Sequence, residues 1–332
     1  GARVLGIHTS GSNLKPMPKS GQKTVLVVAG PTASGKSNLA VDVAEEFGGV
    51  VINADSMQIY EGLEVVTAAP GPAARRRASH KLYGIRDPAK PCSAGAWVSM
   101  AAREICLAHE EGLLPIIVGG TGMYLRTLMI GIAPMPPVAS EIRDDVRSRL
   151  EREGSTALYA ELAEFDPGSA ARINASDSQR VARAIEIYEA TGRTLTEWQG
   201  DDSEASAGAA YNFKTVLLEP PRDLLYATCN ARFEKMLVSG ALEEIRALAR
   251  RNLDTALPAM KALGIPHLLQ HLTGEMSLEE ACAAGQQSTR NYVKRQGTWF
   301  RNKFVADLSI KLQYNDSIKT IIFSFVSKFM LT

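Results

Sequence analysis

Thr24-Val25-Leu26-Val27-Val28-Ala29-Gly30-Pro31-Thr32-Ala33-Ser34-Gly35-Lys36-Ser37 decides how the rest of the chain is read. Thr24 to Ala29 form a continuous, β-branched and almost wholly apolar run, the signature of a strand covered on both faces in a parallel sheet. Gly30-Pro31 ends that run, and helical spacing follows from Lys36 to about Phe47, closed by Gly48-Gly49. Between strand and helix lies the pattern GxxxxGK[ST], here Gly30, Pro31, Thr32, Ala33, Ser34, Gly35, Lys36 and Ser37. Its glycines let the backbone curl so that successive N–H groups face inward and cradle phosphate oxygens. The helix adds the positive end of its dipole. Lys36 brings a point charge to the terminal phosphate oxygens, and the Ser37 hydroxyl can hold Mg²⁺. The motif therefore points to binding of a di- or triphosphate such as ATP, without saying which one or which bond breaks.

Outward from the loop the alternation continues. Val50-Val51-Ile52-Asn53-Ala54 reads as a second buried strand with Asp55-Ser56 at its carboxyl end. Ala94 to Glu111 has helical spacing, and Pro115-Ile116-Ile117-Val118 is a third strand, broken by Gly119-Gly120-Thr121-Gly122. Strands and helices in this order predict an α/β fold, a P-loop NTPase-like parallel sheet flanked by helices. After Pro134-Met135-Pro136-Pro137 the texture changes. Residues 140–198 are rich in Ala, Glu and Arg and hold no strand candidate; Asp201 to Gly208 is a polar linker, and Thr215-Val216-Leu217-Leu218 returns to strand. The expected organisation is a flexible leader at 1–22, a catalytic core at 23–135 and 209–332, and an all-helical insert at 136–208. Arg75-Arg76-Arg77 reads as a solvated loop, Arg222 to about Phe304 as mostly helical, and the apolar tail Thr320 to Val326 as a late strand or a sticky end.

Composition narrows the function. Of 332 residues, 45% are apolar and 22% charged, which excludes a mainly disordered, collagen-like or disulfide-dense chain. The net charge of +1 excludes a uniformly basic nucleic-acid coat but leaves room for a local basic patch. Cys92, Cys106, Cys229 and Cys282 are too far apart for a zinc site, and scattered thiols fit a reducing cytoplasm and buried packing. No apolar run reaches the roughly 18 residues that a membrane helix needs, so no membrane partner is expected.

The strand at Ile116 ends in Gly-Gly-Thr and not in the Asp that often holds Mg²⁺ in ATPases. Asp55 is the one carboxylate well placed beside the phosphates. It is read as a general base for an incoming nucleophile, with a helix N-cap or an outer partner of Mg²⁺ as the plainer alternatives.

Further stretches stand in a definite order: Asn53-Ala-Asp-Ser-Met-Gln-Ile-Tyr60, His80-Lys-Leu-Tyr-Gly-Ile-Arg-Asp-Pro88, Val118-Gly-Gly-Thr-Gly-Met-Tyr124, Asp177-Ser-Gln-Arg-Val-Ala-Arg183, Ala231-Arg-Phe233, and Thr289-Arg-Asn-Tyr-Val-Lys-Arg-Gln-Gly-Thr-Trp-Phe-Arg301. Together with the phosphate loop they resemble, in order and from about residue 24 to 303, the tRNA dimethylallyltransferases (tRNA isopentenyltransferases). The resemblance implies transfer of a dimethylallyl group from dimethylallyl diphosphate to N6 of the adenine beside the anticodon (position 37), with release of diphosphate and help from Mg²⁺. It implies Asp55 as base, Thr121 as a catalytic hydroxyl, Arg143 as a residue important for turnover and Arg232 as a diphosphate contact. It also implies tRNA contacts at Asp55, Ser56, Met57 and Gln58, where the flipped adenine would sit, and at Gln179, Arg180, Val181, Ala182 and Arg183 in the insert. Lys294, Arg295, Trp299 and Arg301 interleave cations and aromatics along one predicted helix, as a surface for the anticodon stem-loop would. The chain is expected to act as a monomer.

Two stretches depart from the family. Val66-Thr67-Ala68-Ala69-Pro70 lacks a usual lysine, and Gly264-Ile265-Pro266 replaces a usual Gly-Tyr-Lys, with Lys261 near enough to compensate. The competing readings are a P-loop kinase acting on a small metabolite, prenyl transfer to a free adenine nucleotide, and a non-catalytic RNA-binding module.

Overall fold

The computed structural model describes residues 23–131, 136–200 and 210–330. The leader at 1–22 and the linker at 201–208 lie outside them. The chain divides into two compact units, Gly1–Met129 with Ala207–Thr332, and Ile130–Ser206.

In the first unit, β1 (Lys23–Ala29) enters the phosphate loop and α1 (Lys36–Phe47) leaves it. Next come β2 (Gly49–Asn53), α2 (Pro72–Arg77), β3 (Ser79–Lys81), α3 (Ala94–Glu110), β4 (Leu114–Gly119) and α4 (Gly122–Met129). The second unit holds α5 (Ser140–Glu153), α6 (Ser155–Phe165), α7 (Pro167–Ala170), α8 (Ser178–Thr191) and α9 (Leu195–Gly200). The first unit then resumes with β5 (Tyr211–Leu218), α10 (Arg222–Val238), α11 (Ala241–Ala249), α12 (Ile265–Leu272), α13 (Leu278–Lys303), β6 (Leu308–Ile310) and α14 (Asp316–Met330).

The sheet runs β3-β2-β4-β1-β5-β6 with every pairing parallel. Side chains of β1 alternate between two cores: Val25, Val27 and Ala29 face one, Leu26 and Val28 the other. That double burial is why the strand reads as an unbroken apolar run. From β1 the chain crosses over β4 to β2, while β5 lies on the other side of β1. The order therefore reverses beside β1, and the carboxyl ends of β1, β2 and β4 open on a crevice at the switch point, where open α/β sheets bind ligands. Side-chain caps set several helix starts. Ser277 and Glu280 form a capping box on α13, and Ser93 Oγ accepts from Ala96 N–H at 3.1 Å on α3.

Three expectations change. The tail at Thr320–Val326 is not a strand but part of α14, because Ile318, Ile322 and Val326 recur every four residues and are buried on one side. Arg75–Arg77 is not loop but the last turn of α2, which Pro72 starts, and Arg77 pairs with Asp42 and Glu45. The cysteines are all free, yet Cys106 is exposed and so does not pack a core.

The helical unit closes on Val146, Leu158, Leu162, Val181, Ala184 and Ile185. Asp166 ties two of its helices together: Oδ1 accepts from Ser169 N–H at 2.9 Å and from the Thr196 hydroxyl at 2.5 Å, and Oδ2 accepts from Thr196 N–H at 3.1 Å. Burial raises this carboxyl's pKa, but the donors outweigh burial and hold it below its ordinary value of 3.8. A depressed pKa stabilises the fold fully above the unfolded value, and the contribution fades as pH falls through the folded one. Asp166→Ala should therefore cost about 1–3 kcal/mol in urea unfolding near neutral pH, a deficit that shrinks below pH 3.8.

Candidate active site

A cavity of about 640 Å³ occupies the crevice, and its lining among the described residues belongs to the first unit. Thr32, Ala33, Gly35, Lys36 and Ser37 form one wall. Ser34 is fully buried beneath them, and its N–H donates to the Pro31 carbonyl at 3.2 Å, closing the turn of the loop. No side chain caps α1, so its first N–H groups remain free for an anion. Lys36 Nζ donates to the Pro31 carbonyl at 3.1 Å. Burial pushes its pKa down to about 8, with Asp55 pulling upward and Arg232 adding to the fall. Burial likewise lowers the Arg232 guanidinium, opposed by Cys229 and Asp55. Two half-buried cations in the cavity lining, with Asp55 the one acidic residue among its described lining residues, favour an anion between them.

The lining also includes Asp55, Ser56, Met57 and Gln58, just past β2. Buried Asn53, at the end of β2, fixes their entry. Its Oδ1 accepts from Asp55 N–H at 2.8 Å, and its Nδ2 donates to the carbonyls of Asp55 at 3.0 Å and Leu82 at 2.9 Å. Asp55 Oδ1 accepts from the N–H groups of Met57 at 2.8 Å and Gln58 at 3.2 Å. The plainer reading of Asp55 as a turn cap thus holds for one oxygen, and that bonding aims the carboxylate of a residue lining the cavity. Thr121 works from behind: its Oγ1 accepts from Ser56 N–H at 2.9 Å.

β4 approaches this wall so closely that a Cβ on Gly119 would stand 2.2 Å from the Ala54 carbonyl oxygen. Gly119→Ala should force the end of β2 outward and carry Asp55 with it. A displacement near 1 Å costs on the order of 10²-fold in rate, with overpacking of about 1–3 kcal/mol visible as a lower Tm. An unchanged kcat in that variant would show that the close approach is dispensable.

The helix α13 divides what the sequence placed on one surface. At 3.6 residues per turn, Arg295 lines the main cavity, whereas Lys294 and Arg301, seven apart, line a separate groove of about 160 Å³ with Pro31. Trp299 lies inward, its ring 2.4 Å from where a Cβ on Gly122 would be, so it is a packing residue and not an open stacking platform. On α8, Gln179 and Arg180 are exposed and Arg183 is half-buried, but Val181 and Ala182 are core side chains of the helical unit. Arg180 and Arg183 also pair with Asp177 and Glu186. Arg143 is exposed on α5 of the same unit.

One site residue on α13 escaped the sequence reading. Gln296, buried on α13, accepts from Thr32 N–H through Oε1 at 2.9 Å and donates to the Gly120 carbonyl at 3.1 Å, tying the phosphate loop to the Gly-Gly-Thr turn. Tyr292, by contrast, belongs to the aromatic and cationic run read from the sequence, and it lines the cavity; burial and the charge of Asp55 raise its pKa, while Thr121 and Gln296 beside it oppose the rise. The one sequence signal of Gln296 is a polar residue inside the apolar stripe Val293, Gln296, Phe300. Lys261, near enough to compensate for the departure at Gly264, lines the cavity.

The chain matches the family model described as IPP transferase over residues 58–303 and the one described as isopentenyl transferase over residues 23–83. The chain belongs to the IPP transferase family. Among curated relatives, it is 51% identical over 284 residues to a tRNA dimethylallyltransferase of Rhodospirillum centenum, covering 86% of this chain and 90% of the relative. It is 46% identical over 307 residues to one of Paramagnetospirillum magneticum, covering 92% and 97%. Among solved structures of the family, a full-length tRNA isopentenylpyrophosphate transferase from Bacillus halodurans superposes with a TM-score of 0.65 at 30% identity, covering 92% of this chain and 96% of that one. A eukaryotic dimethylallyltransferase acting on tRNA gives a TM-score of 0.76 at 26% identity, covering 92% and 80%. The P-loop-like parallel sheet expected from the sequence is therefore the family's fold.

Proposed function

We propose that the chain is a tRNA dimethylallyltransferase that moves the dimethylallyl group of dimethylallyl diphosphate onto N6 of adenine 37, in the anticodon stem-loop. The observation that carries the reading is a phosphate loop whose Lys36 lines one cavity with Arg232 and the carboxylate Asp55, in an IPP transferase family member. In the reaction the bond between the allylic carbon and the diphosphate oxygen breaks, and N6 bonds to that carbon. Asp55 takes the N6 proton, and the loop N–H groups, Lys36 and Arg232 hold the departing diphosphate. Apolar Met57, Phe233 and Met236 in the same cavity suit a five-carbon group better than the polar acceptor of a kinase.

Mg²⁺ fits this donor set. Among the described residues no cluster of three or more His, Cys, Asp or Glu could hold a metal alone. The Ser37 hydroxyl and the Asp55 carboxylate both line the cavity, and Mg²⁺ commonly takes one or two protein oxygens with substrate phosphates and water. When bound, it adds positive charge against the leaving diphosphate.

For the tRNA, Arg295 and Lys261 at the cavity, together with Gln179, Arg180 and Arg183 on α8, supply polar and cationic contacts, and Arg143 on α5 supports turnover. The chain is read as acting as a monomer, and no helix among the described residues is long and apolar enough to cross a membrane. We place the activity in the cytoplasm, where its tRNA substrate is. The deciding experiment offers labelled dimethylallyl diphosphate and Mg²⁺ with tRNA, AMP, or ATP plus small metabolites. Label is expected in tRNA alone; label in AMP, or ATP consumption without label transfer, overturns the reading.

A further inference from the structure

Beyond α13 the chain returns to the phosphate loop, and Gln313 there also lines the cavity. β6 pairs with β5 at Val216↔Leu308 and Leu218↔Ile310, and the next residues cross the turn of the loop. Gln313 Nε2 donates to the Ala33 carbonyl at 2.8 Å, and Tyr314 N–H donates to the Ser34 carbonyl at 3.3 Å. The Tyr314 hydroxyl donates to Asp42 Oδ2 on α1 at 2.5 Å, and Lys319 Nζ lies 3.6 Å from the same oxygen. The crossing is tight: a Cβ on Gly35 would stand 2.7 Å from Tyr314 Cβ.

The turn under this strap is strained. Ala33 has φ 66°, a left-handed conformation that a residue with a Cβ resists. A peptide unit is planar and trans, so the direction of each carbonyl fixes that of the next residue's N–H. Holding the Ala33 carbonyl sets the Ser34 N–H, and holding the Ser34 carbonyl turns the Gly35 N–H away from the strap. These peptides belong to the turn that must present a ready-made anion cradle.

We propose that Gln313 and Tyr314 are positioning residues that hold Ala33 in its left-handed conformation and so preset the phosphate loop for diphosphate. The inference rests on the reading of the cavity as a diphosphate site. Pre-organisation of this kind appears as affinity, because the bound conformation no longer has to be selected during binding.

The test titrates inorganic diphosphate with Mg²⁺ into the full chain by calorimetry. Gln313→Ala should raise its Kd about tenfold, since leaving Ala33 to relax forfeits a conformation disfavoured by about that factor. Gln313→Glu, which sets a carboxylate without a donor against the Ala33 carbonyl, should do at least as much. The Kd for tRNA should not move. In an Ala33→Gly background, where left-handed φ is unstrained, the loss from Gln313→Ala should shrink below about threefold. Should Gln313→Ala fail to fold, Gln313→Met keeps the length without the donor. Unchanged diphosphate affinity in both Gln313→Ala and Gln313→Glu, or an equal loss in both backgrounds, overturns the proposal. A parent chain that binds diphosphate yet transfers no prenyl group would instead overturn the proposed function and leave the strap standing.

Discussion

Asp55→Asn is expected to lower single-turnover prenyl transfer by about 10²–10⁴-fold, the range for loss of a general base. Asparagine is the instructive replacement because its amide oxygen can still accept from Met57 and Gln58 N–H, keeping the turn that Asp55 Oδ1 holds. The loss then falls on proton removal, and binding of tRNA should stay close to that of the parent chain. Quenched-flow assays with labelled donor measure the step directly. Transfer at the parent rate in Asp55→Asn would remove the carboxylate from the chemistry and leave it a turn cap only.

The second large effect belongs to Lys36. Lys36→Met keeps the length of the side chain and removes its charge from a wall where burial already works against that charge. A charge-assisted contact is worth about 1.5–3 kcal/mol when its partner is left behind, which corresponds to about 10–150-fold weaker binding of inorganic diphosphate. Transfer should fall further, because negative charge on the leaving oxygens grows as the allylic bond opens. Calorimetry with diphosphate reads the first effect, and single-turnover rates at saturating donor read the second. Binding at parent affinity would mean that Arg232 and the loop N–H groups suffice.

Both residues are legible in the sequence because their surroundings are local. β1, β2 and β4 are buried on both faces and leave continuous apolar runs, and Lys36 and Asp55 follow those runs within a few residues. The edge strands β3 and β6 are three residues each, too short to establish a period. The β-branched side chains of α14 suggest a strand until the four-residue recurrence of Ile318, Ile322 and Val326 is weighed. Gln296 and Gln313 escape altogether, because their partners, Thr32 and Ala33, lie 264 and 280 positions away. No local pattern carries such a bond. For the same reason one cationic helix in the sequence becomes, once α13 has a buried side, an Arg295 on the cavity and a Lys294 on a different groove.

The pairing of Lys23 with Tyr211 along β1 and β5 has a consequence for biosynthesis. When the ribosome has finished β4, the central strand still lacks one neighbour, and the whole helical unit must be translated before that neighbour exists. Ile318, Ile322 and Val326, which share a core cluster with Leu39 and Val43, come later still. The nascent chain therefore carries an open apolar strand edge through most of its synthesis, the condition under which aggregation competes with folding and holdase chaperones are needed. Ribosomes stalled after residue 200 should present this unpaired β1 edge, and release of the finished chain should remove it.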